Sequence, residues 1–115
     1  MKNSLLFFLS LFILISSCTT SEIPLEPTEP ITTTVSYNAN VKVIIDNNCI
    51  SCHINSGVAS FLPLVNYNQV KTAAESGSLI ARMNSIAAPM PQSGLLSTQT
   101  RAIIQKWKDD GFLEN

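Results

Sequence analysis

Cys49-Ile50-Ser51-Cys52-His53 is the stretch on which the reading of this chain turns. Two thiols separated by two residues, with a histidine directly after the second, form the attachment signature of c-type haem. The spacing has a chemical reason. On one helical turn, two such cysteines can each add to one vinyl group of the same porphyrin while the next side chain is directed at the iron. Cys49 and Cys52 are then the covalent anchors of a single haem c. His53 is the proximal iron ligand, since imidazole is among the common ways to hold haem iron.

Working outward toward the N-terminus, Lys2 precedes the apolar run Leu5 to Ile15. A basic start followed by an apolar segment of roughly 11 residues is the pattern of an export signal, and it falls short of the roughly 20 residues that a membrane-crossing helix needs. The 45% hydrophobic content of the chain is concentrated in this block and does not measure its core. Ile15-Ser16-Ser17-Cys18 comes next. Small residues leading into a cysteine resemble the lipobox of bacterial lipoproteins, and the resemblance implies removal of residues 1–17 and a diacylglycerol on the Cys18 thiol. The cysteine count agrees. With three cysteines in an exported chain, lipid on Cys18 leaves only the Cys49/Cys52 pair. An acylated N-terminal cysteine carries more than one hydrocarbon chain, enough for stable membrane anchoring.

Residues 18–36 read as the lipidated cysteine and a disordered tether rich in Pro and Thr, with Pro24, Pro27 and Pro30 at regular spacing and no amphipathic face. Spaced prolines favour extended polyproline II, so the tether reaches up to about 50 Å from the membrane. At most an irregular strand is expected near Thr32–Val35. The folded domain is expected over 37–115, a size at which chains often need a staple such as a metal or disulfides. A covalent haem meets that need.

The domain carries helix-like patterning. Val41, Ile44 and Ile45 share one face of a first helix, with Asn38 or Asn40 as cap, running into the Cys49–His53 turn. Residues 54–64 have no clean period and read as a loop against the haem. Asn66 or Asn68 caps a second helix with Tyr67, Val70, Ala73 and Ala74 inward, ended by Gly77; Ser78 caps a third with Leu79, Ile80 and Met83 on one stripe. Residues 87–94 contain Pro89 and Pro91, which lack amide donors, and form a loop. Ser97 caps the last helix, Ile103, Ile104 and Trp107 face inward, and Gly111 stops it, with Phe112 and Leu113 folding back.

The iron needs a second axial ligand or an open face. His53 is the only histidine, so bis-histidine ligation within the chain is excluded. Methionine is the leading candidate, and after signal removal Met83 and Met90 remain. Met83 lies on an apolar helical stripe, where methionine is usually core filler. Met90 lies between two prolines in a loop, which suits a side chain held across a cofactor. Met90 is the expected distal ligand, with Met83 as the alternative.

These features together, Cys49-Ile50-Ser51-Cys52-His53, the Pro89-Met90-Pro91 loop and a closing helix bearing Trp107, resemble class I cytochromes c, and more closely the short monohaem domains borne by exported bacterial proteins. The resemblance implies an all-α fold of three to five short helices around one covalent haem, with the first and last helices crossing beside it. It also implies that a carbonyl of Phe61-Leu62-Pro63-Leu64 accepts from the second ring nitrogen of His53, the partner that metal-bound histidines usually have. The chain departs from the pattern in lacking a glycine and aromatic pair at the helix crossing. The contact is therefore expected from Val41, Ile44 or Ile45 against Ile103, Ile104 and Trp107. Arg82 is a candidate partner for a haem propionate, beside the plainer reading of a solvated helix face.

The function implied is electron transfer by a lipid-anchored monohaem protein, exported to the periplasmic or outer face of a bacterial membrane, with redox proteins as partners and no catalytic residues. An open or labile distal site would instead make a small-ligand sensor or carrier, and a haem that mainly stabilises the fold would make an interaction module of a membrane complex. Net charge is −1, with no clustered basic surface to bind nucleic acid. The other readings of Cys49 and Cys52 lack partners. A disulfide, the default in an oxidising compartment, leaves His53 and Met90 without a role. A thioredoxin-like motif needs a βαβ setting. Zinc needs four ligands, the fourth a distant carboxylate such as Asp46.

Overall fold

A computed structural model describes residues 30–115. The expected signal segment 1–17, the lipidation site Cys18 and the tether before Pro30 lie outside the described residues. The described residues are all-α, without a strand. A π-helical turn, Tyr37–Val41, runs directly into α1, Lys42–Asn48; α2 is Tyr67–Glu75, α3 is Ser78–Met83 and α4 is Thr98–Asp109. None of these helices is long and apolar enough to cross a membrane.

The two ends of the domain meet. Trp107 is fully buried on α4, and its indole N–H donates to the carbonyl of Leu113 at 2.8 Å. That bond requires the chain to reverse after α4, and Gly111 supplies the reversal with φ +84°. The Gly111 N–H donates to the Lys108 carbonyl and the Phe112 N–H to the Trp107 carbonyl. This pair of bonds is the Schellman arrangement that satisfies the last carbonyls of a helix. Phe112 folds back as its pattern predicts, its ring edge-on to Trp107 with centroids 5.0 Å apart. The C-terminal tail then caps the first turn of the domain: the N–H groups of Tyr37 and Asn38 donate to the carbonyls of Leu113 and Glu114 at 2.8 and 2.9 Å.

The crossing of the first and last helices differs from expectation. Tyr37, in the π-helical turn, is buried and packs against Trp107 with ring centroids 6.0 Å apart. An aromatic residue does stand at the crossing, one turn ahead of Val41 and Ile45, which are themselves buried. Tyr67 of α2 completes the cluster, 5.5 Å from Tyr37, and its hydroxyl donates to the Phe112 carbonyl. Residues 31–36 form no strand. Val35 is nonetheless buried, its N–H donates to Asp110 Oδ2 at 2.8 Å, and Ile31 packs half-buried against the same core, so packing starts ahead of Tyr37.

The caps divide. Asn66 accepts from the Gln69 N–H and Ser97 from the Thr100 N–H, as the sequence predicts. Asn40 does not cap a helix ahead of it; its Oδ1 accepts from Ser36 N–H, four residues back, and Asn38 donates to the Asn115 side chain. Between α2 and α3, Gly77 occupies the cap position with φ +80°. The connection is so short that the Ser78 hydroxyl turns back to the Ala73 carbonyl at 3.1 Å instead of capping its own helix. Val70, Ala73 and Ala74 of α2 and Met83 of α3 are buried, and so is Ile104 of α4.

Candidate functional site

The Cys49–His53 turn hangs on the C-terminus of α1. Cys49 N–H donates to Ile45 O at 2.8 Å and His53 N–H to Cys49 O at 3.0 Å, so the motif forms a hydrogen-bonded turn that continues from the end of α1. That puts Cys49, Cys52 and His53 on the wall of one cavity of about 880 Å³, a size common for cofactor sites. Met83 and Met90 line the same cavity, with Ile44, Ile45, Leu64, Leu79 and Ile104 among its apolar walls. Arg82 is the one charged side chain on the lining, and no carboxylate joins it there.

His53 is oriented by the loop that follows it. Its Nδ1 lies 2.7 Å from the carbonyl oxygen of Leu62. A carbonyl only accepts, so the proton resides on Nδ1, and Nε2 keeps the free lone pair that a metal can take. The loop is tied at two more points, with Leu64 N–H donating to His53 O at 2.8 Å and Ala59 N–H to Cys52 O at 3.0 Å. Leu62 belongs to the stretch Phe61–Leu64 in which the sequence expectation sought this carbonyl.

The two thiols are free and differ in setting. Burial pushes the Cys49 thiol up to about 11, so it is protonated at neutral pH, while Cys52 is exposed. Asp46, the carboxylate a zinc site would need, is engaged by Lys42 one helical turn away. Among the described residues no three His, Cys, Asp or Glu side chains converge as metal ligands. The site instead offers one imidazole nitrogen, two thioethers and two thiols on an apolar cavity. That donor set fits a flat apolar cofactor held at its edge by sulfur and at its centre by nitrogen.

Two residues that make close contacts in or beside the loops of the site escaped sequence reading. Gly57 is one: a β-carbon there would lie 2.2 Å from Cys52 O and 2.9 Å from Cys52 C, so only glycine lets the 54–57 turn close on the motif. A lone glycine just after the motif was the available signal. Arg101 is the other, and its partners appear only once α3 and α4 are folded together.

Compared with known proteins, the chain matches no family model, no curated protein and no solved structure.

Proposed function

We propose that this chain is a class I-like cytochrome c domain that transfers electrons through one covalent haem c, carried outside the cytoplasm on a lipid anchor at Cys18. The observation that carries the reading is the 2.7 Å contact of His53 Nδ1 with the Leu62 carbonyl, on a histidine that immediately follows the second of two spaced cysteines and lines an apolar cavity. A histidine filling a core has no need of that combination.

Haem c bound there supplies a one-electron iron couple. Cys49 and Cys52 would hold it through thioether bonds, and His53 Nε2 would be a ligand to its iron. The Leu62 carbonyl keeps the Nδ1 proton and with it the ring's orientation and basicity, the usual service of a metal ligand's hydrogen-bond partner. Met90 would be the second ligand to the iron, while Met83, almost wholly buried on the same cavity wall, would serve as core packing. With His53 and Met90 both bound to the iron, a substrate would have no coordination site, which favours electron transfer over catalysis. A thioether ligand also raises the potential relative to two histidines. Ile44, Ile45, Leu64 and Ile104 give the cavity an apolar wall, and Arg82 on its lining would be placed to meet the propionate carboxylates.

Electronic spectra test this on protein made alongside a haem-attachment system. The ferric form should show the weak long-wavelength absorption of sulfur on haem iron. Met90→Ala should abolish it and Met83→Ala should keep it, and the reverse pattern would transfer the ligand role to Met83. Rapid carbon monoxide binding by the ferrous wild type would replace electron transfer with an open-site, ligand-binding function.

A further inference from the structure

The segment that carries Met90, between Asn84 at the end of α3 and Leu96 before α4, has few hydrogen bonds of its own. Ala88 N–H donates to Ser85 Oγ, Met90 N–H to Arg82 O and Gly94 N–H to Pro91 O, at 3.1 to 3.2 Å. Its two ends are joined by one side chain. Arg101, half-buried on the first turns of α4, donates from Nε to Leu96 O at 3.1 Å and from a terminal nitrogen to Asn84 Oδ1 at 2.8 Å. Asn84 passes the contact on, its amide donating to Ile80 O in α3 at 2.9 Å.

Arg101 takes part in none of the three ion pairs among the described residues, which all join lysines to carboxylates four residues away. Its donors are directed at neutral oxygens at the two ends of the loop. Bonds from an ionised donor are the stronger kind, and the planar fork of arginine can aim two of them in fixed, divergent directions. A lysine at the same place keeps the charge and loses the fork.

We infer that Arg101 is the positioning residue for the distal methionine: by fastening the Asn84 and Leu96 ends of the loop to α4, it holds Met90 at the cavity and sets how readily an outside ligand replaces it. This rests on Met90 being the distal ligand.

The test uses the haem-loaded protein and imidazole as the competing ligand for ferric iron. In Arg101→Lys, imidazole should remove the sulfur-to-iron absorption at a concentration lower by roughly tenfold, the equivalent of about 1.4 kcal/mol. Amide exchange across Ile86–Leu96 should quicken while that of α2 stays as in wild type. Asn84→Ala removes one arm only and should shift both readings the same way by less; it decides the matter alone if Arg101→Lys does not load haem. An unchanged imidazole requirement, with the absorption present, overturns the role of Arg101 and leaves Met90 as the ligand. A wild type without that absorption overturns both.

Discussion

Trp107, where the first turn of the domain meets the C-terminal tail, is wholly buried, yet Val58 and Phe61 on the cavity wall are 88% and 84% exposed. The first region closes on itself. Four aromatic rings pack within 5.0 to 6.4 Å of a neighbour, and backbone bonds from Tyr37 and Asn38 run into the C-terminal tail. The second is made of loops, 54–64 and 85–96, that take their shape from hydrogen bonds to Cys52 O, His53 O, Arg82 O and the Arg101 side chain. The contrast teaches that fold and site are built by different means. Apolar burial holds the first turn of the domain to the C-terminal tail, and directed bonds shape the two loops of the cavity wall. Substitutions in the first region should cost stability, and those in the second should disturb the site while the helices persist.

The strongest blow to that contrast falls at Trp107. Replacement by Ala empties the centre of the aromatic cluster and removes one of the two donors to the Leu113 carbonyl, leaving Tyr37 N–H, and truncation of a buried aromatic costs about 3–5 kcal/mol. Against a total stability of roughly 5–15 kcal/mol for a domain, that is a large share. Urea unfolding followed by far-UV circular dichroism measures it. A loss below about 1 kcal/mol would mean that the terminal cluster does not hold the fold.

Gly57→Ala acts on the other side. The new β-carbon meets backbone atoms of Cys52 at 2.2 and 2.9 Å, and backbone cannot rotate away as a side-chain tip can. Overpacking of this kind costs about 1–3 kcal/mol, here concentrated in the turn that bears the motif. The expected result is a marked fall in the yield of haem-attached protein and a shifted or lost Nδ1–H proton resonance of His53, with a smaller change in unfolding midpoint than Trp107→Ala gives. Equal damage to both readings would erase the division between the two regions.

The all-α fold was legible in the sequence because its signals are local. Helical periods marked Val70, Ala73 and Ala74, Asn66 and Ser97 announced their helices by cap chemistry, and Gly111 announced the reversal. The site motif was legible for the same reason: Cys49, Cys52 and His53 lie within five consecutive residues, and Leu62 stands only nine residues further on. What the sequence concealed depends on distant partners. Tyr37 reaches Trp107 across seventy residues, and no period links them. Arg101 meets Asn84 and Leu96 only after α3 and α4 dock. Asn40 and Ser78 misled because their side chains bond backward, to Ser36 and to Ala73, where local rules expect a forward cap. The burial of Val35 was masked by the proline and threonine run it terminates.

The smallest effect sharpens the contrast by separating charge from burial within the terminal region. Asp110 accepts from Val35 N–H and from the Lys106 ammonium. The Lys106 hydrogen bond, and after it the Val35 N–H, hold its carboxyl below the usual value. The unfolded chain therefore binds this proton more tightly than the folded one. The contribution is complete above the unfolded-state value of about 3.9 and is lost as pH falls through the lower folded value. Asp110→Asn keeps an oxygen for Val35 and removes the charge. Its urea midpoint should lie slightly below that of wild type at pH 7, with the gap closing below about pH 3.9 and narrowing in high salt, because the pair is only partly buried. A gap that stayed constant from pH 7 to pH 3 would assign the effect to the geometry of the Val35 bond and take the carboxylate's charge out of the account.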